Sequence, residues 1–218
     1  LGGAWLFRLP LGEALIKAGL GPAGAQTDFR LQALDFSGAT AKALRIGPVD
    51  KPDLWAEELR LDLDWSRGLP RIGTVTLRNG GLRAVVTGKG LSLGALEKMG
   101  PSKVATVQPE LPDWAVSIAN FHLIGETPFG IVDAPLTASG RLREDFKAHA
   151  EVPAKDLIGP KGGAEAFEAV FDAATIKGRL NVVLDASSST LAWRDKADVP
   201  GTEISGARLA AQLAMPVD

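Results

Sequence analysis

The chain has 218 residues, a net charge of −2 and no cysteine. That length allows one domain with a substantial core or two small ones. The composition excludes disulfides, cysteine nucleophiles and thiolate metal sites, and gives no electrostatic case for nucleic acid or a strongly anionic membrane surface.

No apolar run approaches the ~20 residues of a membrane-spanning helix, and no stretch reads as an intact signal peptide. The chain starts at Leu1 rather than methionine and stops at Asp218 just after an apolar run, so it is expected to be a piece of a longer protein.

In residues 1–20, Pro10 precedes Leu11, Ala14, Leu15 and Ala18, which share one face of a short helix ended by Gly19 and Gly21. The segment suits a helix capping the end of a sheet. The sharper reading is a juxtamembrane stretch, because Trp5, Leu6 and Phe7 beside Arg8 fit the exit of a membrane anchor. Residues 1–22 are therefore set apart from a β-rich region over 23–218.

Residues 26–47 predict two strands, one through Phe29 and Leu31 to Phe36 and one over Ala43–Ile46, joined at Ser37-Gly38. Over 55–65, Leu59, Leu61, Leu63 and Trp65 alternate with Arg60, Asp62 and Asp64, the period of a strand with one buried face. Asp62 and Asp64 belong to a solvated face: nothing nearby would raise a carboxylate pKa, and a calcium loop would need a glycine bend that the leucines forbid. Residues 71–87 read as a hairpin turning at Asn79-Gly80, with Ile72, Val75 and Leu77 before the turn and Leu82, Ala84 and Val86 after it. A short helix is predicted over 91–99, stopped by Gly100-Pro101, with a loose linker to Pro112.

The stretch from Leu111 to Val152 carries three strands in short order. Val116 and Ile118 share a face, but Phe121 and Leu123 fall on the opposite parity, so one extra residue near Asn120 is expected as a β-bulge. Thr127-Pro128-Phe129-Gly130 marks a turn, Leu136, Ala138, Gly140 and Leu142 alternate after it, and Phe146 to Val152 forms the third strand beyond Glu144-Asp145. His122 stands without a triad partner in sequence.

Gly159-Pro160-Lys161-Gly162-Gly163 lacks the spacing of a phosphate loop and reads as a flexible loop feeding a short helix over 163–171. Residues 174–185 resume the strands, with Ile176, Gly178, Leu180, Val182 and Leu184 alternating; Leu191 and Trp193 follow, and Leu209 to Met215 close the chain. Ser187-Ser188-Ser189 has no base nearby and is read as a turn rather than a hydrolase nucleophile.

The leader WLFRLPLGEALIKAGL, the segment ELRLDLDW with RIGTVTLRNGGLRA, and LPDWAVSIANFHLIGETPFGIVDAPLTASGRLREDF together resemble the AsmA-like superfamily of bacterial envelope proteins. Within it they are most similar to the YdbH-type intermembrane phospholipid transport proteins. The likeness covers most of residues 5–152 and, more weakly, GRLNVVLDASSSTLAW.

The resemblance implies an N-terminal periplasmic fragment of a protein anchored in the inner membrane, with a partner at the outer membrane. It implies a mainly β fold with a few short helices, a curled, largely antiparallel sheet forming an apolar groove, taco- or bridge-like. Phospholipid acyl chains would lie in that groove, with no catalysis and no cofactor or metal. On strand parity the groove lining is expected to comprise Leu59, Leu61, Leu63, Val75, Leu77, Val116, Ile118, Leu136 and Leu142. The rival reading is a structural or assembly module of the envelope whose sheet closes on a filled core; an enzyme is the third.

Overall fold

The computed structural model describes residues 27–66, 68–69, 71–87, 90–98, 113–193 and 201–216, together with Glu13. The expected helix over 11–19 lies outside them except for Glu13, which is helical, and the linker to Pro112 lies outside them too. Eleven strands follow in chain order: β1 (Thr27–Asp35), β2 (Gly38–Ile46), β3 (Leu54–Asp64), β4 (Arg71–Thr87), β5 (Gly90–Ser92), β6 (Ala115–Thr127), β7 (Gly130–Arg141), β8 (Lys147–Gly159), β9 (Gly162–Ile176), β10 (Arg179–Trp193) and β11 (Thr202–Pro216). One 3-10 helix, Gly94–Lys98, follows β5.

All belong to one sheet in the order β1-β2-β3-β4-β6-β7-β8-β9-β10-β11, with β5 added on β4. Neighbours are antiparallel except β4 and β6, which run parallel. The sheet is mainly β in the sense expected and does not close, since β1 and β11 remain its two ends.

Alternation accounts for most of these strands. β1, β2, β3, β6, β7 and β8 stand where the apolar period of two places them, and the turns at Ser37, Thr127–Gly130 and Glu144-Asp145 separate them as expected. Asn120 carries a positive φ of 54°, and Ile118 and Phe121 pair with Ala138 and Leu136, which are two residues apart. The bulge is therefore present, and Ile118 and Phe121 share the apolar face.

Five expectations are corrected. Asn79-Gly80 is not a hairpin turn: β4 runs through it as one strand of 17 residues. Asn79 does take the left-handed conformation (φ 52°) that its sequence favours, but inside a continuous strand whose register with β3 and β6 does not shift there, because ladders run on both sides. Residues 163–171 are not helical: pairing with β8 and β10 overrides the helix propensity of Ala and Glu there. Residues 174–185 do resume strands, but the alternation does not run through Gly178, because Lys177 (φ 51°) and Gly178 (φ 71°) turn the chain between β9 and β10. Ser187–Ser189 form no turn but lie within β10, where Ser188 donates to the Glu165 and Thr190 carbonyls. Over 91–99 the helix shrinks to the 3-10 turn, pinned by Asp53, whose Oδ2 accepts from the Ala95 N–H at 2.9 Å.

The left-handed residues lie in line. Ala43 (φ 53°) in β2, Asn79 in β4 and Asn120 in β6 fall on one crease crossing those strands, and register shifts in β1 against β2 and in β6 against β7 absorb it. Ala166 (φ 46°) in β9 and Gly206 (φ 67°) in β11 mark a second crease in the C-terminal half. Each bulge bends its strand and increases local twist, so aligned bulges fold the sheet along a line.

A residue on the bare face of a single sheet cannot be 2 % exposed, yet Phe121 is, within a cluster running from Phe29 on β1 to Phe171 on β9. The sheet curls so that its apolar face is concave. Small residues (Ala41, Ala56, Ala134, Ala138, Ala150) crowd that inner surface, and Gly80 leaves room for the Phe121 ring.

Candidate functional site: the apolar face

Directly paired residues in a sheet point to the same side, so the registers trace the face strand by strand. One row crosses all ten strands of the path: Leu31, Ala41, Leu59, Leu77, Ile118, Ala138, Ala148, Ala173, Val182 and Leu213. Every member is apolar. A second row on the same face holds Leu34, Ala39, Leu61, Val75, Val116 and Gly140. A third, across the Asn crease, holds Leu44, Ala56, Gly80, Phe121, Leu136, Ala150, Phe171, Leu184 and Ala211.

The convex side is polar. Thr40, Arg60, Thr76, Ser117, Ser139 and Lys147 form its matching row. Arg60 Nε donates to Asp62 at 2.8 Å, and that hydrogen bond raises the guanidinium pKa. His149 Nδ1 donates to Asp172 at 2.8 Å across β8 and β9; the bond lifts its imidazole above the ordinary range, aided by the charges of Asp172 and Glu151. His122 makes the same contact with Asp133 at 2.8 Å.

Of the residues expected to line a groove, Leu59, Leu77 and Ile118 stand together in the first row, Leu61, Val75 and Val116 in the second, and Leu136 in the third. Leu63 pairs with Ile72 at the rim of the same face, where an extra residue, Gly73, keeps Ile72 and Val75 on one side. Leu142 is not brought into a row: it lies just past β7, where its N–H donates to the Trp114 carbonyl at 3.1 Å. The expected lining leaves out the other members of the first row, Leu31, Ala41, Ala138, Ala148, Ala173, Val182 and Leu213. Their alternation was visible, but small alanines carry a weak apolar signal.

The face is unevenly covered. Phe29, Leu31, Leu44, Ile46, Phe121 and Val152 are buried, whereas Leu59, Leu61, Val75, Val116 and Ile118 are half-buried. At β11 the face ends in the open, with Leu213 of the first row 55 % exposed and Leu209, paired with Ala186 on the same side, 58 % exposed.

Among the described residues, no group of three His, Asp or Glu side chains is placed to hold a metal ion. The chain matches no protein-family model, no curated protein and no solved structure.

Proposed function

We propose that the chain carries phospholipid between two membranes, its acyl chains lying along the concave apolar face and its head groups toward water. The observation that supports this is the apolar row from Leu31 to Leu213, unbroken over ten strands of a sheet that does not close. A polar or charged member would interrupt such a path, because an unpaired buried charge costs several kcal/mol or more. A row without one lets each methylene gain ~0.8 kcal/mol at any position, which favours sliding over fixed binding. The half-buried rows of Leu59 and Leu61 are the track for the acyl chain, since the Phe121 row is filled by its own side chains.

This reading agrees with the AsmA-like resemblance, and with it go an inner-membrane anchor before residue 1, a periplasmic location and an outer-membrane partner protein. No step needs a catalytic group.

The tight burial of Phe121, Ala134, Ala150 and Val152 favours the rival, a structural or assembly module whose sheet packs on a filled core. Lipid extraction and mass spectrometry of the purified protein separate the two. Carriage gives co-purified phospholipid near stoichiometric amounts, with mixed acyl chains; a filled core gives none.

A further inference from the structure

One corner of the sheet carries exposed apolar side chains that the concave face does not use. The β1–β2 turn presents Phe36, 84 % exposed, and the β3–β4 connection presents Trp65 and Leu69, the latter 72 % exposed. The Phe36 and Trp65 rings lie 6.2 Å apart, tilted by 57°. Ile72, at the start of β4, joins the corner to the rim of the apolar face through its pairing with Leu63.

Several polar groups of the two turns are bonded within or between the turns. The Trp65 indole N–H donates to the Phe36 carbonyl at 2.6 Å. Asp35 accepts from the Ser37 N–H and the Gly38 N–H. Asp64 accepts from the Ser66 N–H and hydroxyl. Each of these bonds lowers the cost of bringing its polar groups close to an apolar phase, while the Asp35 and Asp64 carboxylates stay at the level of the head groups.

We propose that this corner docks onto the interfacial zone of a phospholipid bilayer, with Phe36, Leu69 and the Trp65 ring seated at the level of the head groups and upper acyl chains. Three observations select a bilayer over a protein partner. The apolar groups sit on the tips of two adjacent turns at the strand ends, a geometry for insertion rather than for a flat interface. Their composition is the aromatic-aliphatic mixture of membrane interfaces. In sequence the two turns and their flanks hold Asp35, Asp62 and Asp64 against Arg60, Arg67 and Arg71, with no excess of positive charge, so attachment is apolar and independent of anionic lipid. The docking stands apart from lipid carriage, since a sheet holding no lipid would still present this corner.

Flotation of the 218-residue protein with phosphatidylcholine vesicles, with and without phosphatidylglycerol, at low and high salt, tests the proposal. The protein is expected to float with phosphatidylcholine alone and to stay bound in high salt. The double variant F36S/L69S should lower the partition coefficient about tenfold or more. I158S removes a side chain that is 90 % exposed at the opposite end of the sheet, and should change nothing. Lipid co-purifying with F36S/L69S is measured in parallel; it should be unchanged, which separates failure of docking from failure of carriage. The proposal is overturned if the wild type does not float, if binding requires anionic lipid and vanishes in salt, or if I158S loses as much as the double variant. It is equally overturned if the double variant converts a dimer to a monomer in solution, which makes the corner a contact between two copies.

Discussion

Asn120 Nδ2 donates to Asn79 Oδ1 at 3.1 Å, joining two left-handed residues on neighbouring parallel strands. Asn79 Nδ2 in turn donates to Glu57 Oε2 at 2.8 Å, so a polar ladder of three side chains runs along the crease over β3, β4 and β6. The ladder keeps the two asparagines in step, and with them the parity that returns Phe121 and Leu123 to the concave face.

Replacement of Asn120 separates backbone from side chain. Asn120→Val should cost about 1–3 kcal/mol, because a β-branched residue is strained at positive φ and the bond to Asn79 is lost. Asn120→Gly tolerates that φ and should cost less than half as much. Chemical denaturation of the two variants checks this; equal losses would show that the bulge conformation is not what Asn120 maintains.

Gly80 is needed for space. A Cβ there would lie 2.1 Å from the Trp55 carbonyl oxygen and 2.7 Å from Phe121 Cε2. Gly80→Ala should destabilise the fold by about 2 kcal/mol or more. A melting temperature unchanged from wild type would contradict the close packing of β3, β4 and Phe121.

Asp53 is a buried carboxylate that accepts the Ala95 N–H, while its own N–H and carbonyl bond Ile46 and Arg83. Asp53→Ala leaves the backbone bonds but strips the 3-10 helix of its anchor, at a cost of about 1–3 kcal/mol. Hydrogen exchange should quicken first at residues 94–98; uniform quickening over the sheet would argue against a local anchor.

His149 makes stability depend on pH. Its folded pKa is raised above 6.5 by the hydrogen bond to Asp172, so its contribution is complete below that value and is lost as pH rises through the folded pKa. The melting temperature of the wild type should therefore fall relative to that of His149→Gln as pH is raised from ~5.5 to ~8.5. A constant difference between the two proteins would remove the ion pair from the account.

Much of the sheet was legible because period-two patterns are local. β3 could be placed from Leu59, Leu61 and Leu63 alone, and the bulge at Asn120 followed from the parity slip between Ile118 and Phe121. Asn79-Gly80 was misread because the same left-handed asparagine serves a two-residue turn or a crease inside a continuous strand. The choice depends on whether partners exist on both sides, here β3 and β6, which no local pattern reveals. AEAFEAVF was misread for a related reason: helix propensity is intrinsic, whereas the ladders from β8 and β10 that overrule it come from distant residues. Among candidate groove residues, the leucines and valines of β3, β4 and β6 were found by parity. The alanines that extend their row to β9 are too small to stand out in sequence, and only the register reveals them.

The central claim is that lipid contacts the concave face and not the convex one. Its most direct test is photocrosslinking in cells from a benzophenone-bearing residue placed in turn at position 61, 118 or 62. Leu61 and Ile118 lie on the apolar rows, and Asp62 pairs with Gly38 and Thr74 on the opposite side. The account predicts phospholipid adducts at 61 and 118 and not at 62; adducts at all three in equal yield, or at none, would contradict it.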